Sequence, residues 1–443
     1  MNPLELARDR LLGQVSVFDE GIGEAESVYL RGLREEGRSQ FAALGFPTTR
    51  LEEWRYTNVA PIAATDFRLA GREHPPISRE VVEAISFPVF ACSLFVFING
   101  HFRPELSSSP ILSGELRVES LARLRSENPA ALEPSLGRQA DLKSHAFAAL
   151  NTAFLDDGAV VTIPRGASLE NPVHLVFISN GAEATLSQPR VLVNAEENSR
   201  AVVIQDHVSV GEGIRFTNSV SEVVTHADAD LDLVILQREN DRTHHVSNLA
   251  SQQQRNSRFR AHTVTLGGSL VRNDLSALFA EEGAECTLNG VFLGRGSQLI
   301  DNHTVVDHAV PHGTSRELYK GILCGKSKGV FRGRVIVRPD AQKTDAEQSN
   351  PNLLVADGAE INTKPQLEIY ADDVKCSHGS AIGRLDADAL FYLRSRGIDE
   401  ERARLVLTRG FAVEVLEQLP APALRDATLA LLEERLRDAG VGS

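Results

Sequence analysis

The run Val173-His174-Leu175-Val176-Phe177-Ile178 is the clearest of the short β-branched stretches that decide the fold class of this chain. Similar runs occur at 159–163, 200–204, 231–236 and 334–337. Gly, Asn and Asp separate the runs, and few segments between about Ala159 and Val374 are long enough for a helix. Because β-branched residues bounded by turn formers are typical of strands, the centre of the chain is predicted to be a long block of short strands.

Two architectures can accommodate about two hundred strand-rich residues, a β-sandwich and a β-solenoid. A sandwich would mostly alternate polar and apolar residues, whereas a solenoid stacks each coil on the previous one. A Gly-Ala turn element recurs irregularly, at 166–167, 181–182, 283–284 and 358–359, which indicates a degenerate repeat at best. Polar ladders inside a solenoid would explain Gln252-Gln253-Gln254 and the segment Gln348-Ser349-Asn350-Pro351-Asn352. We therefore expect the solenoid.

Both ends of the chain are predicted to be helical. One N-terminal apolar stripe recurs at helical spacing and consists of Leu4, Ala7, Leu11, Val15 and Phe18. A second helix is predicted from about Glu24 to Leu44. The C-terminal helices are predicted at 386–396, 399–410, 411–419 and 422–439, with Asp386 and Asp399 as N-caps. The chain is thus divided into an N-terminal helical and small mixed domain (1–155), a strand-rich core (156–380) and a C-terminal helical domain (381–443).

Charge and hydropathy exclude several kinds of partner. The net charge is −14 at pH 7 and no basic run occurs, so no nucleic acid is expected to bind. No stretch approaches about eighteen uninterrupted apolar residues, so no membrane contact is expected. The segment Met1-Asn2-Pro3-Leu4-Glu5 lacks the features of a secretory signal. The four cysteines are scattered, which favours a reducing, cytoplasmic location over a disulfide framework.

The chain shows none of the motifs of common nucleotide-dependent or acyl-transfer enzymes. A Walker A loop, a dinucleotide-binding Gly-rich turn and a Gly-x-Ser-x-Gly elbow are all missing from the sequence. We therefore expect a non-catalytic subunit whose energy input comes from another chain.

Metal ligation is the chemistry that the sequence leaves open. Cys376 and His378 are two residues apart, and on a strand that spacing places both side chains on one face. Sulfur with imidazole suits iron or zinc, but two ligands cannot close a site. For Cys376, a buried thiol is slightly favoured over a secondary ligand. No Cys-x-x-Cys motif occurs, so any iron–sulfur site must be completed by another chain.

A second group of candidate ligands consists of three histidines close together in the chain, His303, His308 and His312. With the neighbouring aspartates they would form a metal site, or they would simply be part of a polar strand–turn–strand surface. The alternative functions are a mononuclear metal enzyme that uses these histidines and a β-helix enzyme such as a polysaccharide lyase.

The segment from Thr363 to Gly379, together with several shorter motifs, resembles the SufB/SufD family of iron–sulfur cluster assembly scaffolds, and in particular its SufD-type members. The resemblance covers nearly the whole chain and is most specific from Thr363 to Gly379. Further matching segments are 343–354, 360–362, 45–47, 53–57, 315–321, 390–393, 396–397 and 410–411. The SufB-type alternative is disfavoured because a Glu-His-Glu-Ala-type segment would be expected where this chain has Lys375-Cys376-Ser377-His378-Gly379.

The resemblance implies a right-handed parallel β-helix core flanked by helical domains. It also implies a SufBCD-type complex with a SufB-like β-helix subunit and a SufC-like ABC-type ATPase, while a homodimer of this chain stays open. His378 would contribute to a transient iron–sulfur cluster or iron site shared with the partner, with no cofactor held tightly by the chain alone. A role in iron acquisition is implied as well.

The resemblance further implies that the ATPase docks on the C-terminal helices. The apolar candidates for this contact are Leu390, Phe391, Leu393, Leu405, Phe411, Val415 and Leu416. Flavin association is known in the family, but the sequence shows no flavin motif.

Overall fold

The computed structural model describes residues 2–22, 26–73, 75–86, 92–108 and 116–442. Strands occupy the middle of the chain and helices flank them, so the predicted mainly β class with helical ends is confirmed. In this described part of the chain, no helix has the length and apolar character needed to cross a bilayer.

The strands form two large sheets, called sheet A and sheet B. Sheet A contains β1 (Arg68–Leu69), β4 (Arg117–Ser120), β5 (Gly158–Ile163), β7 (Thr185–Ser187), β8 (Arg190–Ala195), β10 (Arg215–Thr225), β12 (Thr243–Gln253), β14 (Leu270–Phe279), β16 (Leu299–His308), β18 (Lys328–Val337) and β20 (Glu360–Ile369). Sheet B contains β2 (Ser93–Ile98), β3 (His101–Phe102), β6 (Val173–Asn180), β9 (Arg200–Val210), β11 (Asp230–Gln237), β13 (Arg258–Thr265), β15 (Glu285–Gly294), β17 (Thr314–Leu323), β19 (Asp345–Leu354) and β21 (Lys375–Gly383).

From β8 onward the chain alternates between the two sheets, and from β10 onward each strand pairs in parallel with the strand two positions earlier. Thus Glu285 is the register partner of Thr314, which in turn is the partner of Asp345. Each turn of the chain therefore adds one strand to each sheet. The result is a right-handed parallel β-helix of about eight turns, as the solenoid prediction and the family resemblance required.

One corner of the β-helix is built from residues in the left-handed backbone region. They recur once per turn, at Asn198, Asp228, Asn256, Gly283, His312 and Lys343. At five of these six residues the backbone N–H donates to a carbonyl of the next turn, for example from Asn256 to Glu282 (3.0 Å) and from His312 to Gln342 (2.9 Å). Asn, Asp and Gly tolerate this conformation best, which explains why they separate the β-branched runs.

The space between the sheets is filled by an apolar cluster that includes Phe177, Phe259 and Leu288. Polar ladders also lie in buried positions, as predicted from the sequence. Gln253 Nε2 donates to the carbonyl of Glu285 (2.8 Å), and Asn350 Nδ2 donates to the carbonyl of Tyr319 (2.8 Å). The amide N–H groups of these side chains are thus satisfied by the next turn, as most buried donors are.

The helices cover the outer faces of the two sheets. They are α1 (Pro3–Ile22), α2 (Val28–Leu44), α3 (Ala60–Ala64), α4 (Arg79–Ile85), α5 (Leu121–Glu127), α6 (Ala146–Ala153), α7 (Ala387–Ser395), α8 (Glu400–Leu416) and α9 (Pro422–Asp438). Helix α6 packs on sheet A, beside residues such as Phe216 and Val246, and α2 packs on α6. Helices α8 and α9 pack on sheet B, against residues such as Val264 and Val291.

The predicted helix boundaries are mostly right. The side chains of Asp386 and Asp399 cap α7 and α8 as expected. The predicted second helix begins at Val28, with Ser27 as its N-cap, and the predicted start at Glu24 lies outside the described residues.

The predicted helix end at Gly410 is wrong, because α8 continues through that residue to Leu416. Burial of Ala412 and Leu416 against sheet B outweighs the cost of about 1 kcal/mol for a glycine inside a helix. The limits of the three domains remain predictions. Strand β2 pairs with β6, so sheet B begins before residue 156.

Candidate functional site

The site is located at the C-terminal end of the β-helix, where β20 and β21 are the last strands of their sheets. Within the described ranges, no strand pairs with the outer edge of either one. Three large side chains near this end are unusually exposed, namely Ile369 (41%), Tyr370 (62%) and Ile382 (53%). An open sheet edge with exposed apolar side chains is suited to pairing with a further chain.

Cys376 and His378 both lie on β21. Cys376 packs against the interior cluster and is stacked on Ala346, its register partner in β19. His378 is exposed and is the register partner of Gln348. Since side chains alternate along a strand, the two candidate ligands share the inward-facing side of the open end, as their spacing predicts. Their role as ligands remains a prediction.

The local environment distinguishes these two candidates. Burial raises the pKa of the Cys376 thiol, and the nearby negative charge of Asp345 contributes in the same direction. A thiol with a raised pKa is a poorer source of thiolate, which is the form that ligates metal. A neutral imidazole binds metal without losing a proton, so His378 is the better candidate of the two predicted ligands.

Below His378, a buried polar column continues into the β-helix through Gln348 and Glu317. Gln348 Nε2 donates to one carboxyl oxygen of Glu317 (2.5 Å), and Thr304 Oγ1 donates to the other (2.5 Å). Burial raises the pKa of Glu317 to about 7. The sequence analysis predicted buried amides but missed this acid, although its position one turn below Gln348 is visible once the period of the turns is known.

The three histidines at 303, 308 and 312 lie in different environments. His303 lies on the outer face of sheet A, 2.9 Å from Asp301, whereas His308 lies inside, where its Nε2 is 2.9 Å from Ser315 Oγ. Burial lowers the pKa of His308 to about 4. His312 occupies the left-handed corner position. Among all described residues, no group of three His, Cys, Asp or Glu side chains is arranged to hold a metal ion.

His303 belongs to a cluster that anchors the N-terminal segment on sheet A. Arg272 contacts His303, Asp274 and Asp301, and its guanidinium carbon lies 3.8 Å from the centroid of the Trp54 ring. A cavity of about 190 Å³ lies beside this cluster. Its rim includes Glu52, which accepts a hydrogen bond from Lys364 (2.5 Å).

The residues predicted to dock an ATPase fall into exposed and buried groups. Phe391 is 73% exposed on α7 and is adjacent to Tyr392, which is 56% exposed. Val415 and Leu416 are buried in the packing of α8 on sheet B. The other four are half-buried, namely Leu390, Leu393, Leu405 and Phe411. The accessible part of the predicted docking surface is therefore on α7.

Comparison with known families agrees with this architecture. Residues 177–411 match the family model described as "SUF system FeS cluster assembly, SufBD core domain". Residues 16–175 match the model described as "SufBD protein N-terminal region". The chain belongs to the SufBD family. The mainly β core and the helical ends are thus those of an iron–sulfur cluster assembly protein of the SUF system.

Individual SufBD relatives are similar over almost the full length. An iron–sulfur cluster assembly SufBD family protein of Synechocystis is 35% identical, over 94% of this chain and 91% of the relative. The SufD protein of Escherichia coli is 30% identical, over 93% of this chain and 95% of its own length. SufD of Bacillus subtilis is 24% identical, over 93% of this chain and 95% of the relative. The expected resemblance to SufD-type members is confirmed.

Proposed function

We propose that this chain is a non-catalytic scaffold subunit on which iron–sulfur clusters are assembled at the open end of its β-helix. His378 supplies one ligand, and a SufB-like β-helix partner supplies the remaining thiolates. The observation that carries the proposal is the placement of His378 on the last strand, at an end where both sheets have free outer edges in the described chain.

The open end gives a physical reason for a shared site. A second β-helix that continues sheet B from β21 would bring its own side chains directly above Cys376 and His378, about 4.8 Å away for each added strand. A cluster at such a junction needs only part of its ligands from each chain. Replacing one thiolate by neutral imidazole lowers the negative charge around the cluster, which favours release over storage.

The other parts of the proposal concern partners and location. A SufC-like ABC-type ATPase docks on the C-terminal helices through the exposed face of α7, and its turnover drives movement at the shared site. The complex operates in the cytoplasm, and the chain takes part in iron acquisition for the nascent cluster. The cluster is transient cargo of the complex rather than a resident cofactor of this chain.

The test is anaerobic cluster reconstitution on the assembled complex, with wild type compared with His378→Ala and Cys376→Ala. Ser377→Ala is the matched control, because Ser377 lies between the two candidates and faces the opposite side of β21. Visible absorption and Mössbauer spectra measure the cluster yield. We expect a large loss for His378→Ala and none for Ser377→Ala, with complex assembly unchanged. A normal yield with His378→Ala would remove this residue from the site.

A further inference from the structure

The side chain directly below His378 has an unused hydrogen-bond acceptor. Gln348 is 1% exposed, and its Oε1 atom has no hydrogen-bond partner among the described residues. A buried amide oxygen without a partner is unfavourable, and most such oxygens in folded proteins find a donor. The orphaned oxygen therefore points to a donor that can reach it from the open end of the β-helix.

The orientation of the Gln348 amide is determined from below. Its Nε2 donates to Glu317, and the reverse orientation would place the amide oxygen against a carboxyl oxygen. This arrangement holds where Glu317 is ionised, because both of its oxygens then only accept, one from Gln348 Nε2 and the other from the Thr304 hydroxyl. The nitrogen end of the amide is therefore committed to Glu317, and the oxygen end remains available.

The opposite wall of the β-helix is shaped around the same amide. Gly333 lies on β18 across from Gln348, and a Cβ atom at this position would lie 2.1 Å from Gln348 Nε2. Only glycine leaves enough space there for the amide. The neighbouring strand positions are occupied by Glu317 on the inner side and His378 on the outer side.

We infer that Gln348 is a positioning residue for His378, whose imidazole N–H donates to Gln348 Oε1 when the exposed ring turns inward. Because this oxygen can only accept, it selects the tautomer that carries its proton on the inward nitrogen. The other ring nitrogen then presents its lone pair to the open end. Histidines that bind metals are commonly oriented in this way through their second nitrogen. The inference deepens the proposed function and rests on it for the role of the free nitrogen.

The test of the tautomer uses the full-length chain without iron, so that it does not depend on cluster binding. Long-range ¹H–¹⁵N correlation spectra of histidine-labelled protein at pH 8 report the tautomer ratio of His378, assigned from the His378→Ala spectrum. We expect Gln348→Leu to shift this ratio about fivefold, in line with the loss of one hydrogen bond. Gly333→Ala should shift it in the same direction, because the added methyl group displaces the amide.

The matched control is Glu347→Gln, because Glu347 adjoins Gln348 on β19 but is exposed. If Gln348→Leu folds poorly, the double variant Glu317→Leu/Gln348→Leu removes the buried acid together with its partner. An unchanged tautomer ratio in a folded Gln348 variant would overturn the inference. In the assembled complex we expect Gln348→Leu to hold the cluster about tenfold more weakly. A normal cluster yield with His378→Ala would instead refute the proposed function and leave the tautomer result standing.

Discussion

The guanidinium group of Arg272 lies between the indole ring of Trp54 and two carboxylates, with its central carbon 3.8 Å from the ring centroid. Trp54 belongs to the N-terminal segment and Arg272 to β14 in the middle of the β-helix. The same arginine donates to the backbone carbonyl of Glu53 (2.7 Å) and to Asp301 (2.7 Å). A single buried cation thus connects the N-terminal segment to two neighbouring strands of sheet A, β14 and β16, through stacking, backbone and charge contacts.

We predict that Arg272→Met strongly destabilises the protein. Asp274 and Asp301 are buried beside Arg272, and their lowered pKa values depend partly on its charge. Removing one partner of a buried ion pair leaves uncompensated charge and typically costs about 3–5 kcal/mol. The measurement is the free energy of unfolding from urea denaturation. Arg258→Ala breaks an exposed pair with Glu285 and should change stability by less than about 1 kcal/mol. Equal effects of the two substitutions would contradict this account.

The buried acid Glu317 should make the stability depend on pH in a specific direction. Burial raises its pKa from an ordinary value near 4.5 to about 7, so between these values the folded state binds the proton and the unfolded state does not. The contribution of this group to stability is therefore complete below pH 4.5 and is lost as pH rises to about 7. Glu317→Gln keeps the shape of the side chain and does not titrate. As pH rises from 4.5 to about 7, the free energy of unfolding of this variant should therefore increase by about 3 kcal/mol relative to that of wild type.

The difference in stability between wild type and Glu317→Gln separates the effect of Glu317 from that of the other titrating groups. Burial lowers the pKa values of His244 and His308 to about 4, which gives the opposite slope, but both proteins contain them. Urea unfolding at several pH values between 4.5 and 8 measures the difference in free energy of unfolding between wild type and Glu317→Gln. A difference that stays constant over this range would mean that Glu317 does not take up a proton on folding.

The strand pattern favoured a solenoid because its signals are local, and the family resemblance added the right-handed parallel β-helix. β-branched runs, separated by residues that tolerate the left-handed backbone, encode one strand and one corner at a time. Buried amides such as Gln348 and Asn350 were also predictable, since polar residues inside strand-rich sequence need partners from turn to turn. The spacing of Cys376 and His378 predicted a shared face once a strand was assumed.

Other features depend on contacts between distant parts of the chain and could not be predicted from the sequence. The side chains of Glu52 and Lys364 form a hydrogen bond although they are 312 residues apart in the chain. Nothing in either local segment indicates this pairing. The three histidines at 303, 308 and 312 looked like a group only because they are close in the chain. His303 and His308 lie on opposite faces of β16, and His312 lies at the corner that follows this strand. Gly410 resembled a helix end, but burial of the flanking residues on sheet B keeps α8 continuous.

The exposed aromatic pair on α7 provides a sharp test of ATPase docking. We expect Phe391→Ser to weaken binding of the SufC-like subunit by roughly thirtyfold or more, the usual effect of losing an aromatic anchor at an interface centre. Val406→Ser is the control, because Val406 is also exposed (45%) but lies on α8. Isothermal titration calorimetry measures both affinities. Equal affinities for Phe391→Ser and wild type would place the docking surface elsewhere.

Point substitution is preferable to removing the C-terminal helices. Helices α8 and α9 cover apolar residues on the outer face of sheet B, including Ile204 and Val234. A chain that ends after Leu385 would expose this face to water, and lost ATPase binding would then be confounded by aggregation. Phe391→Ser leaves the buried residues Val415 and Leu416 in place.

The last prediction concerns pairing of the open sheet edge with a second β-helix. The amide of Lys375 donates inward to the carbonyl of Thr344 (2.8 Å), and alternate residues of a parallel strand bond to opposite neighbours. The amide of Ser380 therefore faces the outer edge of β21. Ser380→Pro removes this outward donor while leaving the inward ladder intact, and proline is tolerated on an edge strand.

We expect the variant to remain folded and to lose pairing with the SufB-like partner, whereas Ser380→Ala should pair normally. Analytical ultracentrifugation of each variant with the partner measures complex formation, and circular dichroism confirms the fold. Full pairing by a folded Ser380→Pro chain would show that the partner does not extend sheet B through β21.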